Sequence, residues 1–134
     1  MEVIDVTMAA IETIFCMLDW NNPIETQDLG RLLAKDLTNL DLFCQPFCEK
    51  YNKNVWENCA IILSEKRDAE LQPYLTKMLE WLQDLNWPGA LCILERLQKY
   101  SDKKSLKYAL SICLQNAKNN HDITWIKNLK LVNP

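Results

Sequence analysis

Two stretches of the chain, Asp19-Trp20-Asn21-Asn22-Pro23 and Asp84-Leu85-Asn86-Trp87-Pro88, read D-x-N-x-P, and their surroundings stay in register at an offset of 65. Upstream, Val6 aligns with Leu71, Ala9 with Tyr74, Ala10 with Leu75, Ile14 with Leu79 and Met17 with Leu82; downstream, Leu29 aligns with Leu94 and Leu32 with Leu97. A weaker echo, Asp122-Ile123-Thr124-Trp125, comes after Leu106, Leu110 and Leu114, which align with Leu71, Leu75 and Leu79. A polar element ending in proline between two apolar-periodic stretches reads as a corner between helices. Its Asp and Asn side chains satisfy backbone groups orphaned at helix ends, and proline opens the next helix where no donor is lost. Repetition of such a unit predicts an all-α fold: a short right-handed stack of helical hairpins, an α-solenoid in which no hairpin buries its apolar stripe alone. Asp84, Asn86, Trp87 and Pro88 are thereby assigned to architecture, with Trp87 as an apolar lid over the hairpin end.

Apolar periodicity supports helices throughout. Ile4, Met8, Ile11, Phe15 and Leu18 share one face; so do Leu71, Leu75, Met78 and Leu82, and then Leu106, Ala109, Leu110, Cys113, Leu114 and Ala117. Two-residue alternation is not sustained, and with Gly30 and Gly89 as the only glycines neither a sheet of tight turns nor a Gly-rich phosphate cradle is available. Helices are predicted at 3–18, 23–37, 40–50, 55–66, 70–85, 88–99, 103–118 and 122–131, within one domain covering 1–134. Asn22 with Glu25, and Asn54 with Glu57, resemble capping boxes, while Asn39, Asp68, Asp102 and Asp122 are candidate caps. Pro46 and Pro73 fall inside two of the helices and predict a kink or a late start at each.

The chain of 134 residues, 49% hydrophobic and 25% charged, suits one globular domain and excludes wholesale disorder. Glu2 and Asp5 stand where a signal peptide needs positive charge, and no apolar run reaches bilayer length. The expectation is a cytoplasmic protein without a membrane anchor. Six cysteines, at 16, 44, 48, 59, 92 and 113, fall mostly on apolar stripes and read as buried free thiols rather than a secreted disulfide framework.

Trp81-Leu82-Gln83-Asp84-Leu85-Asn86-Trp87-Pro88-Gly89-Ala90, preceded by Pro73-Tyr74-Leu75, resembles the central motif of a bacterial family of HEAT-like helical domains of unknown function. The resemblance covers about residues 68–100. It implies a helical-repeat fold and, for some members, a role as immunity proteins beside polymorphic toxins. It supplies no catalytic residues, because the shared motif is the corner itself.

Chemistry finds little footing. His121, the only histidine, lies in Asn119-Asn120-His121-Asp122; a general base beside Asp122 is conceivable, but an exposed residue at a helix start is the commoner reading. No H-E-x-x-H, G-x-S-x-G or Walker pattern occurs. Cys44 and Cys48 are one helical turn apart and would chelate zinc if Cys59 and His121 converged on them; with Phe43 and Phe47 alongside, an apolar stripe is favoured. No catalytic residue, metal or cofactor is therefore assigned.

Charge is unevenly spread. Residues 1–49 hold nine acids against Arg31 and Lys35, a net of −7, whereas residues 50–134 carry a net of +4. Lys99, Lys103, Lys104, Lys107, Lys118, Lys127 and Lys130 face only Asp102 and Asp122 at the C-terminal end, and nucleic acid is the runner-up partner for them. Glu12, Asp19, Glu25, Asp28, Asp36 and Asp41 read either as a solvated face or as a docking surface for a basic protein, with Trp20 as its aromatic anchor. The expected function is a monomeric, non-catalytic protein-binding domain: most concretely an immunity protein that neutralises a cognate toxin such as a basic nuclease, with a scaffold or adaptor as the other alternative.

Overall fold

The computed structural model describes residues 3–134, with side chains from Ala10 onward. All regular elements among the described residues are helical. They run α1 (Val3–Met17), α2 (Ile24–Ala34), α3 (Gln45–Cys48), α4 (Trp56–Ser64), α5 (Asp68–Leu71), α6 (Leu75–Leu79), α7 (Ala90–Gln98), α8 (Lys103–Asn119) and α9 (Ile123–Lys130). Short 3-10 turns occupy 41–43, 53–55, 72–74 and 80–83. Each predicted helical segment is present, and the two that contain an internal proline are broken. Pro46 sits in the first turn of the short α3, after a 3-10 turn, and Pro73 lies in the 3-10 turn between α5 and α6. Lacking an amide proton, each proline is tolerated only where a helix is starting.

Residues 75–83 form the centre. Leu75, Met78, Leu79, Trp81 and Leu82 are all buried, and this stretch touches α3, α7, α8 and α9. Its apolar residues cover most of its circumference, with Thr76, Lys77, Glu80 and Gln83 only partly buried on the remaining side, so neighbours pack around it. Around it α4 packs on α7, α8 on α9, and α1 on α2, and one continuous apolar cluster runs from Ile14 to Val132. The α8 stripe lies as the periodicity predicts, with Leu106, Ala109, Leu110, Cys113 and Ala117 buried. Phe15 on α1 and Leu18 just after it are buried and Ile11 is half-buried; Ile4 and Met8, and Val6 and Ala9 of the repeat alignment, lie outside the described side chains.

The corner recurs in detail. Asp19 Oδ1 accepts from the Asn21 amide at 2.8 Å and Asp84 Oδ1 from the Asn86 amide at 2.8 Å; the Asn22 amide donates to the Asp19 carbonyl, as the Trp87 amide does to that of Asp84. The two copies diverge at their fourth position. Asn22 Nδ2 donates back to the carbonyls of Cys16 and Met17, at 2.7 and 3.2 Å, so it closes the end of α1 and does not cap α2. Trp87 instead lies edge-on to Trp56 at 5.4 Å, and Trp56 lies edge-on to Trp81 at 6.1 Å. Trp81 Nε1 donates to the Pro88 carbonyl at 2.8 Å. The third echo is a different device: Asp122 accepts from the Trp125 amide as a helix cap, as Asp102 does from Ser105.

Two further capping expectations shift by a few residues. Asn52, not Asn54, caps the turn before α4, accepting from the Asn54 amide at 2.9 Å. Asn39 accepts from the Asp41 amide ahead of the turn at 41–43. Asp68 lies inside α5 and reaches across the fold, accepting from Arg96 Nη2 at 2.5 Å, the Ser101 hydroxyl at 2.5 Å and the Ser101 amide at 2.9 Å. Of the thiols, Cys44, Cys59 and Cys113 are buried and all six are free, but Cys16 is exposed, because it lies off the Phe15–Leu18 face.

Gly89 carries the tightest constraint. Its φ is +86°, and a Cβ there would meet the Ala60 Cβ at 2.6 Å and the Trp56 carbonyl oxygen at 3.0 Å. Gly89→Ala is expected to cost about 2–4 kcal/mol, combining a left-handed backbone with overpacking, measured by urea unfolding. Asp68 makes a pH-dependent prediction. Burial pushes its carboxyl up, but the Ser101 hydroxyl and amide and the Arg96 guanidinium outweigh that and bring it from 3.8 to about 2. A depressed carboxyl stabilises the fold above its ordinary pKa, and that contribution disappears as pH falls through the folded value. Asp68→Asn should therefore lose up to about 2 kcal/mol at neutral pH, and its deficit relative to the native chain should vanish between about pH 4 and pH 2 in acid-unfolding titrations.

Candidate docking surface

Helix α2 is held by small and polar residues, which leaves its large apolar residues facing outward. Only Gly30 and Ala34 of this helix are buried. A Cβ on Gly30 would come within 2.9 Å of the Met17 Cβ and 3.0 Å of Leu18, so glycine lets the two helices approach closely on that face. The remaining ties are hydrogen bonds to α4 and the residues after it. Buried Asn58 donates to the Leu18 carbonyl at 2.7 Å and to Gln27 Oε1 at 2.9 Å, and accepts from Arg31 Nη1 at 2.5 Å. Gln27 Nε2 donates to the Asn22 carbonyl at 2.8 Å. Buried Lys66 donates to the carbonyls of Lys35 and Leu37, at 2.8 and 3.2 Å, placing its ammonium at the negative end of α2.

With α2 clamped this way, Ile24 is 57% exposed, Leu29 47%, Leu32 56% and Leu33 46%, and Trp20 in the preceding turn is 46% exposed. The repeat alignment pairs Leu32 with Leu97 and Leu29 with Leu94. Leu97 is fully buried and Leu94 packs on the core, so the helices after the two corners bury different faces. The glycine at position 30 aligns with Glu95, which explains the rotation. Scattered exposed aliphatics are ordinary; several on one short helix beside an exposed tryptophan form a patch of the kind that marks association surfaces.

The predicted acidic residues divide into two groups. Glu12 accepts from Lys50 Nζ at 3.2 Å and the Tyr51 hydroxyl at 3.1 Å, and both interactions lower its carboxyl pKa. Asp41 pairs with Lys77 at 2.6 Å and raises that ammonium's pKa, and Asp28 pairs with Arg31. Two of these pairs join the acidic front of the chain to its basic rear. Asp19 is committed to its turn, accepting from the Asn21 amide and from Asn54 Nδ2. Glu25 and Asp36, exposed at the two ends of α2, remain outside the ion pairs found among the described residues. The surface is therefore apolar first and acidic second. The sequence pattern does not single out Asn58, Lys66 or the α2 leucines; the exposed leucines have one signal, a glycine in the middle of an apolar-periodic helix.

His121 sits exposed in the turn after α8 with φ +54°. Among the described residues no group of three or more His, Cys, Asp or Glu is placed to hold a metal ion, and no helix is long and apolar enough to cross a membrane. The corner residues Asp84, Asn86, Trp87 and Pro88 lie between the central segment and α7.

An all-helical domain with a buried central segment and one helix clamped apolar-side-out is the class that fold and surface define. The chain belongs to the family described as a domain of unknown function, DUF5071, whose model matches residues 53–133. That span contains α4 to α9, and α1 to α3 precede it. Neither the curated proteins nor the solved structures compared with the chain gave a match.

The clamp predicts a contrast in stability. Asn58→Ala removes partners from Leu18, Gln27 and Arg31 at once and is expected to cost about 2–3 kcal/mol. Leu32→Ser, at an exposed site, should change stability by no more than about 0.5 kcal/mol. Parallel denaturant titrations of the two variants check both values.

Proposed function

We propose that this domain acts without catalysis, binding another protein through the outward face of α2. Most concretely, it is a cytoplasmic immunity protein that neutralises a cognate bacterial toxin by direct contact, with its helices working as a short stack of hairpins that presents α2 at one end. The observation that carries this reading is the set Ile24, Leu29, Leu32 and Leu33, about half exposed on a helix whose buried residues are Gly30 and Ala34. Trp20 provides the aromatic anchor. Glu25 and Asp36, free of ion pairs among the described residues, bias the partner towards a basic surface and quicken encounter more than they deepen affinity. Asp19, Glu12, Asp28 and Asp41 support the fold first.

A second reading, nucleic-acid binding, draws on Lys103, Lys104, Lys107, Lys118, Lys127 and Lys130, none of which is in an ion pair among the described residues. Lysine-only, arginine-free clusters supply phosphate attraction without bidentate recognition.

Co-expression with the product of the adjacent gene tests the main reading. A complex that survives gel filtration, protects the cell from that product, and weakens at least about tenfold in the Leu29→Ser, Leu32→Ser double variant is expected. Absence of a complex at micromolar concentration together with absence of protection would end the proposal, and a complex indifferent to the double variant would remove α2 from it.

A further inference from the structure

A second exposed apolar surface lies on the family-matched part of the chain. Between residues 72–76 and α8 runs a groove of about 390 Å³, lined chiefly by Pro73, Leu75, Lys104, Tyr108, Ala109 and Ile112, with Gln72 Nε2 donating to the Ser105 hydroxyl between its walls at 3.4 Å. Tyr108 is 71% exposed and Ile112 38% exposed. Lys104, Tyr108 and Ile112 succeed one another at four-residue spacing, so a cation and two apolar side chains form one ridge along the groove. The nearest acid on this helix, Asp102, is committed to capping it through Ser105. Lys103, Lys104 and Lys107 are outside the ion pairs found among the described residues.

We propose that the groove is occupied by a second copy of this chain, which lays its α2 face between residues 72–76 and α8. The two surfaces match in kind. The helix offers Leu29, Leu32 and Leu33, anchors at the spacing with which an amphipathic helix enters a groove. At its ends stand Glu25 and Asp36, and beside the groove stand Lys103, Lys104 and Lys107. Internal ion pairs engage Glu12, Asp28 and Asp41, so the charges that α2 still offers are Glu25 and Asp36, with Lys35 beside Asp36, against three lysines at the start of α8. The helix, 11 residues long, spans about 16 Å, shorter than α8.

This contact is heterologous: a molecule that has inserted its α2 still presents an empty groove, and the recipient still presents a free α2. Association therefore continues with concentration instead of stopping at a dimer. It rests on the reading of α2 as a docking face and adds the groove as its complement. Self-association then shields the leucines until a tighter partner displaces the neighbouring copy.

Sedimentation equilibrium of the full chain, from about 10 to about 300 µM at about 20 mM salt, where charges act over about 20 Å, tests the proposal. The average mass should exceed the 15.7 kDa of one chain and keep rising with concentration. Lys104→Glu in one variant and Leu32→Lys in another should each weaken association at least about tenfold, and circular dichroism establishes that both remain folded. Mixing these two variants is the decisive step. The first keeps an intact α2 and the second an intact groove, so together they should form a one-to-one complex that grows no further. A native chain that stays at monomer mass, a mixture that fails to pair, or a dimer unmoved by Lys104→Glu would overturn the proposal. Binding of a short DNA duplex through Lys104, without self-association, would overturn it in favour of nucleic acid. Lys104→Glu should leave the complex with the adjacent gene's product unchanged, whereas Leu32→Lys should weaken both, so failure of one reading is distinguishable from failure of the other.

Discussion

One buried amide decides which way α2 faces. Asn58 bonds through its side chain to the last carbonyl of the Phe15–Leu18 stripe, to Gln27 and to Arg31, so the end of α1 and two positions of α2 must converge on one point of α4. A buried polar group that is fully partnered fixes geometry more sharply than apolar contact, because any slip leaves donors and acceptors stranded in a poor solvent. Gly30 then permits the close approach to α1, and Lys66 holds the far end of the helix. Together these replace the leucine-into-core packing that such a helix would otherwise adopt.

The frame to which this clamp is attached is apolar. Residues 75–83 are enclosed by four helices, and the elbow at their C-terminal end is closed by the Trp81, Trp56 and Trp87 rings. The indole of Trp81 and the backbone of Gly89 meet at that elbow: one donates to the Pro88 carbonyl, and the other leaves no room for a side chain. Asp68, Arg96 and Ser101 bind the α4–α5 junction to the α7–α8 junction. A frame of this kind lets a peripheral helix present its leucines while only Gly30 and Ala34 of that helix are buried.

Much of the fold is legible in the sequence because helical periodicity and proline are local signals. The segment boundaries, the breaks at Pro46 and Pro73, the α8 stripe and the Asp caps at 102 and 122 all depend on residues close in sequence. The duplicated corner is legible too, down to its aspartate turn. The facing of the helix beyond each corner is not, since whether Leu32 is buried as Leu97 is depends on Gly30 meeting α1 and on Asn58, 28 residues from Gly30 in the chain. The charge asymmetry misleads in a similar way. Segment by segment, the acids of the front and the lysines of the rear stand apart, but Glu12 with Lys50 and Asp41 with Lys77 partly neutralise each other across the fold. A sequence shows composition by segment, whereas pairing is decided in three dimensions.

The docking surface exists only if α2 is turned outward in the free protein. Leucine methyl NMR of the Lys104→Glu chain, whose α2 face is not covered by a neighbouring copy, in the presence of a soluble paramagnetic agent measures this directly. Strong broadening is expected for Leu29, Leu32 and Leu33 and none for Leu82 and Leu97. Methyl groups on α2 as protected as those of Leu97 would mean that the helix buries its leucines after all, and the docking surface would be lost with them.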